Sequence, residues 1–206
     1  MSSDVKCMKD LPYSQAAANN REPILALLRT ILAGPRSVLE VGAGTGQHAV
    51  FFAEALPAVR WQATERADAL SMLQPRLSRA HLPNLPEPQP LDIADQPWPV
   101  AKADAIYTAN TLHIVAEDLV EAFFRGCGEV GQAGTPLIVY GPFNYGGEFT
   151  TESNAHFDLW LKDRDPRSGV RDFEWVNALA GDAGYDLRGD YEMPANNRLL
   201  YWEKAP

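Results

Sequence analysis

The stretch Glu40-Val41-Gly42-Ala43-Gly44-Thr45-Gly46 constrains this chain more than any other. It leaves a short β-branched run, Ser37 to Val41, and enters GQHAVFFAEALP, whose apolar residues keep helical spacing until Pro57. Strand, glycine turn and helix in that order put backbone without side chains at the carboxyl end of a strand, where a ligand can approach closely. The glycines recur every second residue, and Gln47 stands where the phosphate-binding pattern G-x-G-x-x-G has its third glycine. A dinucleotide, and with it an NAD-dependent oxidoreductase, therefore loses ground to another nucleotide-like ligand. Glu65, nineteen residues beyond Gly46, ends the next strand candidate. From there a carboxylate can accept hydrogen bonds from both hydroxyls of a ribose.

The same alternation runs along most of the chain. Ile24, Leu25, Leu27, Leu28, Ile31 and Leu32 predict an amphipathic helix from Glu22 to Ala33, with Pro23 in its opening turn and Gly34 at its exit. Val59 to Thr64 reads as a strand, and ADALSMLQPRLSRA as a helix that Pro75 kinks or shortens. A brief strand near Leu91, a strand from Ala103 to Ala109, a helix from Glu117 to Val130 and a strand from Pro136 to Tyr140 follow. Five strands alternating with helices predict a parallel sheet covered on both faces. Residues 141–171 read as a long connection with a short helix in SNAHFDLWLKD, a length that often marks a lid or binding loop. A helix near Asp172 to Ala183 and two strands, YDLRGDYEM and RLLYWEK, turning at Pro194-Ala195-Asn196-Asn197, close the chain. With 206 residues and 46% hydrophobic content, one domain over 1–206 is expected.

A net charge of −9 with no gathering of Lys and Arg disfavours nucleic acid and favours a small-molecule partner. No run of about 18 apolar residues is present to span a bilayer, and the start MSSDVKCMKDLPYSQ has no signal-peptide core. No membrane partner is expected, and a soluble, cytoplasmic protein is. Cys7 and Cys127 stand far apart without CxxC or metal-like spacing, so ordinary thiols and no metal site are expected.

From Ser37 to about Tyr140 the sequence resembles the Rossmann-like, S-adenosylmethionine-dependent methyltransferases, whose first motif is an acidic residue followed by G-x-G-x-G. The resemblance implies an α/β fold with a seven-stranded sheet ordered 3-2-1-4-5-7-6, the seventh strand antiparallel and helices on both faces. It implies S-adenosylmethionine as cofactor and S-adenosylhomocysteine as product. Carried over by motif, Glu40 lies near the methionine end of the cofactor, Gly42, Gly44 and Gly46 line it, and Glu65 holds the ribose. Asp92 would meet the adenine amine with Ile93 beside the ring, and Asn110 the amino-acid portion. His48 at the head of the helix, and Asn20 and Arg21 in the lid expected over residues 1–34, join the cofactor set. The halves would then be 37–140 for the cofactor, 141–171 for the insert, and 172–206 for the last helix and strand pair.

A narrower resemblance rests on Ser14-Gln15-Ala16-Ala17-Ala18-Asn19-Asn20-Arg21-Glu22-Pro23, Tyr140-Gly141-Pro142-Phe143, Ser153-Asn154, Phe157-Asp158, Arg164-Asp165-Pro166, Gly169-Val170-Arg171-Asp172 and Pro194-Ala195-Asn196-Asn197. These stretches look like the methyltransferase-like family called domain of unknown function 938, which includes methyltransferase-like protein 26. That family brings no acceptor with it. If the acceptor must lose a proton, histidine is the usual base. His113, three residues after Asn110 at the carboxyl edge of the sheet, is the first candidate, with Tyr140 and His156 in the insert as further acceptor-side candidates; His81 is assigned to solvent. Tyr13, Asn19, Asn144, Tyr145, Asn196 and Asn197 are expected near the same edge. Asn110-Thr111-Leu112-His113 departs from the Asn/Asp-Pro-Pro-aromatic segment of enzymes that methylate amide or nucleobase nitrogens. The alternatives are a protein methyltransferase and a catalytically silent cofactor-binding scaffold; the acceptor atom and oligomeric state stay open.

Overall fold

The computed structural model describes residues 11–206, so Cys7 and the first ten residues of the expected lid lie outside the described residues. Seven strands form one sheet in the order β3-β2-β1-β4-β5-β9-β8, the expected methyltransferase order with β8 and β9 as its last two strands. By internal contacts the chain forms two compact units, one up to Asp92 and one from Ile93 to Pro206. No helix among the described residues is long and apolar enough to cross a membrane.

The first unit runs α1 (Gln15–Ile31), β1 (Ser37–Val41), α2 (Gln47–Ala55), β2 (Arg60–Glu65), α3 (Leu70–Ala80) and β3 (Gln89–Pro90). β1 and β2 pair in parallel, Ser37 opposite Arg60 through Val41 opposite Thr64, which brings Gly42 and Glu65 to the same end. Ile24, Leu28, Val38, Phe52, Trp61 and Leu73 are buried between helices and strands, with the Phe52 and Trp61 rings 5.2 Å apart. α1 begins seven residues before the predicted start, so Pro23 lies inside the helix rather than in its opening turn. Ser14 explains the earlier start, because its Oγ accepts the Ala17 N–H at 3.2 Å and caps the helix. Pro75 likewise sits inside α3, which continues to Ala80.

The second unit comprises β4 (Ala105–Ala109), α4 (Glu117–Val130), β5 (Pro136–Gly141), β6 (Phe143–Asn144), α5 (Glu152–Arg164), β7 (Arg171–Asp172), α6 (Phe173–Asp182), β8 (Tyr185–Met193) and β9 (Asn197–Lys204). Every residue of β5 is buried, as a central strand covered on both faces requires. β9 runs antiparallel to both β5 and β8. The 141–171 segment is more ordered than its sequence predicts. It holds the 13-residue helix α5, capped by Thr151 Oγ on the Asn154 N–H, and β6, which pairs in parallel with β7 outside the main sheet.

Candidate functional site

In the first unit the loop after β1 takes left-handed backbone at Gly42, Gly44 and Gly46, with φ of 74°, 54° and 73°. The Ala43 N–H donates to Thr64 O at 2.9 Å, holding the loop to the end of β2. The Gly44 N–H donates to Glu65 Oε2 at 2.8 Å, and the Arg66 N–H to Glu65 Oε1 at 2.9 Å. The carboxylate is thus fixed in direction while each oxygen keeps a further lone pair. A Cβ on Gly44 would meet nothing within 4 Å, whereas one on Gly46 would come within 2.7 Å of Leu73 Cδ1 and Leu77 Cδ1. Gly44 therefore faces open space, and Gly46 is small because α3 packs against it.

Glu40 is buried at the end of β1, where the Trp61 indole N–H donates to its Oε2 at 2.6 Å. Burial raises its pKa to about 7, the Trp61 bond opposes the rise and the negative charge of Glu65 adds to it. His48 Nε2 lies 2.7 Å from Asn20 Oδ1, both side chains buried, so these two candidates hold each other. Burial lowers the His48 pKa to about 4, partly opposed by the Ala17 backbone and reinforced by Arg21. The Arg21 guanidinium lies over the Phe51 ring, 4.6 Å from its centroid, and its buried Nε has no hydrogen-bond acceptor among the described residues. Asp92 faces Arg66 at 3.7 Å across a solvent-exposed gap.

In the second unit Ile93 is buried at the opening of the chain segment. Asn110 adopts left-handed backbone, φ 55°, and donates its N–H to Tyr140 O at 2.8 Å, turning the chain sharply after β4. His113 follows that turn, buried, with its ring edge-on to Phe157 at 5.4 Å and its backbone carbonyl accepting the Gly169 N–H. A Cβ on Gly141 would sit 3.4 Å from His113 Nδ1, ordinary van der Waals contact, so the ring packs beside the backbone that follows Tyr140. Burial lowers the His113 pKa to about 4, with the Arg171 charge adding to the shift. Tyr140 is buried within β5. His156 instead lies exposed on α5, whose inward residues are Asn154, Asp158 and Leu161.

Several polar residues expected at this edge serve the scaffold. Asn197 Nδ2 donates to Pro194 O and Ala195 O in its own turn, and Asn154 Nδ2 donates to Asn196 O, tying that turn to α5. The Tyr145 hydroxyl donates to Asp190 Oδ2 at 2.8 Å while its ring stacks on Phe173.

The family model described as "Protein of unknown function (DUF938)" matches residues 11–204. The chain belongs to this family. Among solved structures, the DUF938 chain superposes on an O-methyltransferase family protein from Burkholderia thailandensis with a TM-score of 0.79 at 15% identity, covering 89% of this chain and 56% of that one. The pyocyanin biosynthetic protein PhzM gives a TM-score of 0.75 at 19% identity, with 92% and 56% covered. PigF with SAH gives 0.75 at 18%, with 88% and 55% covered. The DUF938 chain thus spans a little over half the length of these proteins and shares their fold.

Two bracing residues were not singled out from the sequence. Gln47 Oε1 accepts the Ser14 N–H at 2.5 Å and the Thr45 hydroxyl at 3.1 Å, and its Nε2 donates to Ser14 O, joining the head of α2 to the cap of α1. Arg76, on α3, donates to Thr45 O at 2.7 Å and Pro12 O at 2.5 Å, clamping the glycine loop to the segment before α1. Gln47 was visible only as a departure from the dinucleotide pattern. In the DUF938 chain's second unit, Arg171 donates to Leu112 O, Val115 O and Arg167 O and so fixes the turn carrying His113.

Proposed function

We propose that this chain is an S-adenosylmethionine-dependent methyltransferase whose acceptor is a small molecule. One observation carries the reading: the Gly44 backbone faces open space while its N–H aims the Glu65 carboxylate from the neighbouring strand. An adenosyl ligand needs that pairing, close backbone approach and an acceptor carboxylate for its ribose hydroxyls. The Arg21 guanidinium, whose buried Nε–H has no acceptor among the described residues, fits the carboxylate of the cofactor's amino-acid part. In this reading Gly42 and Gly44 line the cofactor, Glu65 holds its ribose, Asp92 takes the adenine and Glu40 serves the methionine part. His48 and Asn20 support the loop through their mutual bond rather than touching the cofactor.

The bound cofactor supplies an electrophilic methyl group on a sulfonium, so the protein's share is alignment and exclusion of water. His113, held neutral by burial, accepts a hydrogen bond from the acceptor's O–H or N–H and orients its lone pair. With a pKa of about 4 it is a weak base at neutral pH, which assigns it to positioning more than to proton removal. Tyr140 shapes the wall beside it. The net charge of −9 and the names of similar folds, among them the mitomycin 7-O-methyltransferase MmcR, support a small-molecule acceptor.

Calorimetry with S-adenosylmethionine tests the cofactor, with micromolar affinity expected; no heat at high micromolar concentration contradicts it. Labelled-methyl transfer into a lysate, split into metabolite and protein fractions, tests the acceptor. Label confined to protein would replace the small-molecule reading with a protein methyltransferase.

A further inference from the structure

Two buried oxygens in the second unit, Asn144 Oδ1 and Asp172 Oδ1, have no donor among the described residues. The residues carrying them are register partners in the parallel β6–β7 pair, so their side chains leave that ribbon on the same face. Asn144 is 92% buried, being 8% exposed, and its Nδ2 donates to Val170 O at 3.4 Å. That carbonyl fixes the amide orientation, because turning it over would set oxygen against oxygen. Asp172 opens α6 at the position where an aspartate ordinarily caps the first turn, yet its side chain makes no cap bond. It forms no ion pair among the described residues. Its chain neighbour Arg171 points instead at the carbonyls of Leu112, Val115 and Arg167, and nearby Glu174 is taken up by the Gly146 N–H. One residue on, Tyr145 stacks on Phe173 at 5.2 Å and pins the register.

A half-buried carboxylate without a cation, paired in register with a buried carbonyl oxygen without a donor, is costly unless a group with both positive charge and N–H donors meets them. We infer that Asn144 and Asp172 form a subsite for a protonated amine on the small molecule that this protein binds. This deepens the proposed function and rests on it for the identification of that molecule as the methyl acceptor. The ammonium is a recognition handle and not the methylated atom, since a protonated amine has no lone pair to take a methyl group. The excess of acidic residues draws cationic ligands toward the protein. The pair is too small for a metal centre, and no group of three metal-ligating side chains occurs among the described residues.

The test uses the full chain with S-adenosylhomocysteine present, and three probes: phenethylamine, cyclohexylmethylamine and n-hexylamine, each against the alcohol of the same skeleton. Ligand-observed NMR titration should find at least one amine bound about tenfold tighter than its alcohol, and Asp172→Asn should abolish that preference. Without ligand, Asp172→Asn should leave the melting temperature unchanged or raise it, since a neutral amide replaces an uncompensated charge. Amines binding no better than alcohols, no amine binding, or a preference surviving in Asp172→Asn overturns the subsite. So does a drop of more than about 5 °C, which marks a structural role. Should Asp172→Asn fail to fold, Asn144→Ala takes its place with ligand binding as its readout, and an amine preference undiminished in it overturns the subsite. S-adenosylhomocysteine affinity is measured separately: its absence removes the methyltransferase reading, whereas its presence without amine preference removes only this inference.

Discussion

Gly44 and Gly46 stand two residues apart in one loop, yet replacing them should give different signatures. Both hold left-handed backbone, so any side chain adds strain of about 1–2 kcal/mol. In Gly44→Val the new side chain enters open space and occupies the proposed ligand position. Stability should fall only by that strain, while S-adenosylhomocysteine affinity drops by about 100-fold or more, roughly 3 kcal/mol. In Gly46→Ala the methyl group presses on Leu73 and Leu77, adding overpacking of about 1 kcal/mol, while affinity stays within about threefold. Urea unfolding and calorimetry on both variants check this, and equal loss of affinity in the two would refute the division of labour. The glycine pattern itself was legible, because a repeat of residues without Cβ has few other uses. That Gly46 serves a helix 27 residues on was not, since spacing says nothing about which element packs where. Burial hid the histidines in the same way: His48 and His113 stand at sequence positions that suggest contact with ligand, and only the fold reveals that one is bonded to Asn20 and both are neutral.

At the scale of elements, the strands and helices that pack on the sheet were readable because their apolar residues repeat at 2.0 or 3.6 residues. Errors fell where other forces set the boundary. QAAANNRE carries no apolar stripe, yet it forms the first two turns of α1, secured by the Ser14 cap and by Gln47 gripping the Ser14 backbone. The β6–β7 ribbon has two residues per strand, too few for any period to show. α5 mixes buried Leu161 with Leu159 at 65% and Trp160 at 51% exposed, so its apolar residues trace no single face. Two variants separate the anchors of α1. Ser14→Ala removes one cap bond and should cost about 1 kcal/mol of global stability. Gln47→Ala removes both ties to the Ser14 backbone and strands its N–H, so it should cost more, about 1–3 kcal/mol. Hydrogen exchange of amides 14–18 should quicken more in Gln47→Ala than in Ser14→Ala; the reverse order would show that the cap alone holds the segment.

For the whole molecule the buried titratable groups set the pH dependence of stability, and their signs differ. His48 and His113 titrate near pH 4 when folded against 6.5 ordinarily, so between those values the unfolded chain binds more protons and stability falls as pH falls. Each histidine withdraws about 3 kcal/mol across that window. Glu40 titrates near 7 when folded against 4.5 ordinarily, so in its window the folded chain binds the extra proton and stability falls as pH rises. Between pH 4.5 and 6.5 unfolding therefore takes up two protons and releases one, and the net proton gives a slope of about 1.4 kcal/mol per pH unit. Above pH 6.5 only the Glu40 contribution persists, with the opposite sign, which places a shallow stability maximum near pH 6.5. Glu40→Gln keeps the shape of the side chain and an acceptor oxygen for the Trp61 N–H while removing its titration. Urea unfolding from pH 4.5 to 8 should then show a slope of about 2.7 kcal/mol per unit below pH 6.5 and a flat profile above it. If the variant keeps both the wild-type slope and the maximum, Glu40 is ionised in the folded protein, and its carboxylate must be compensated by something other than burial against Trp61.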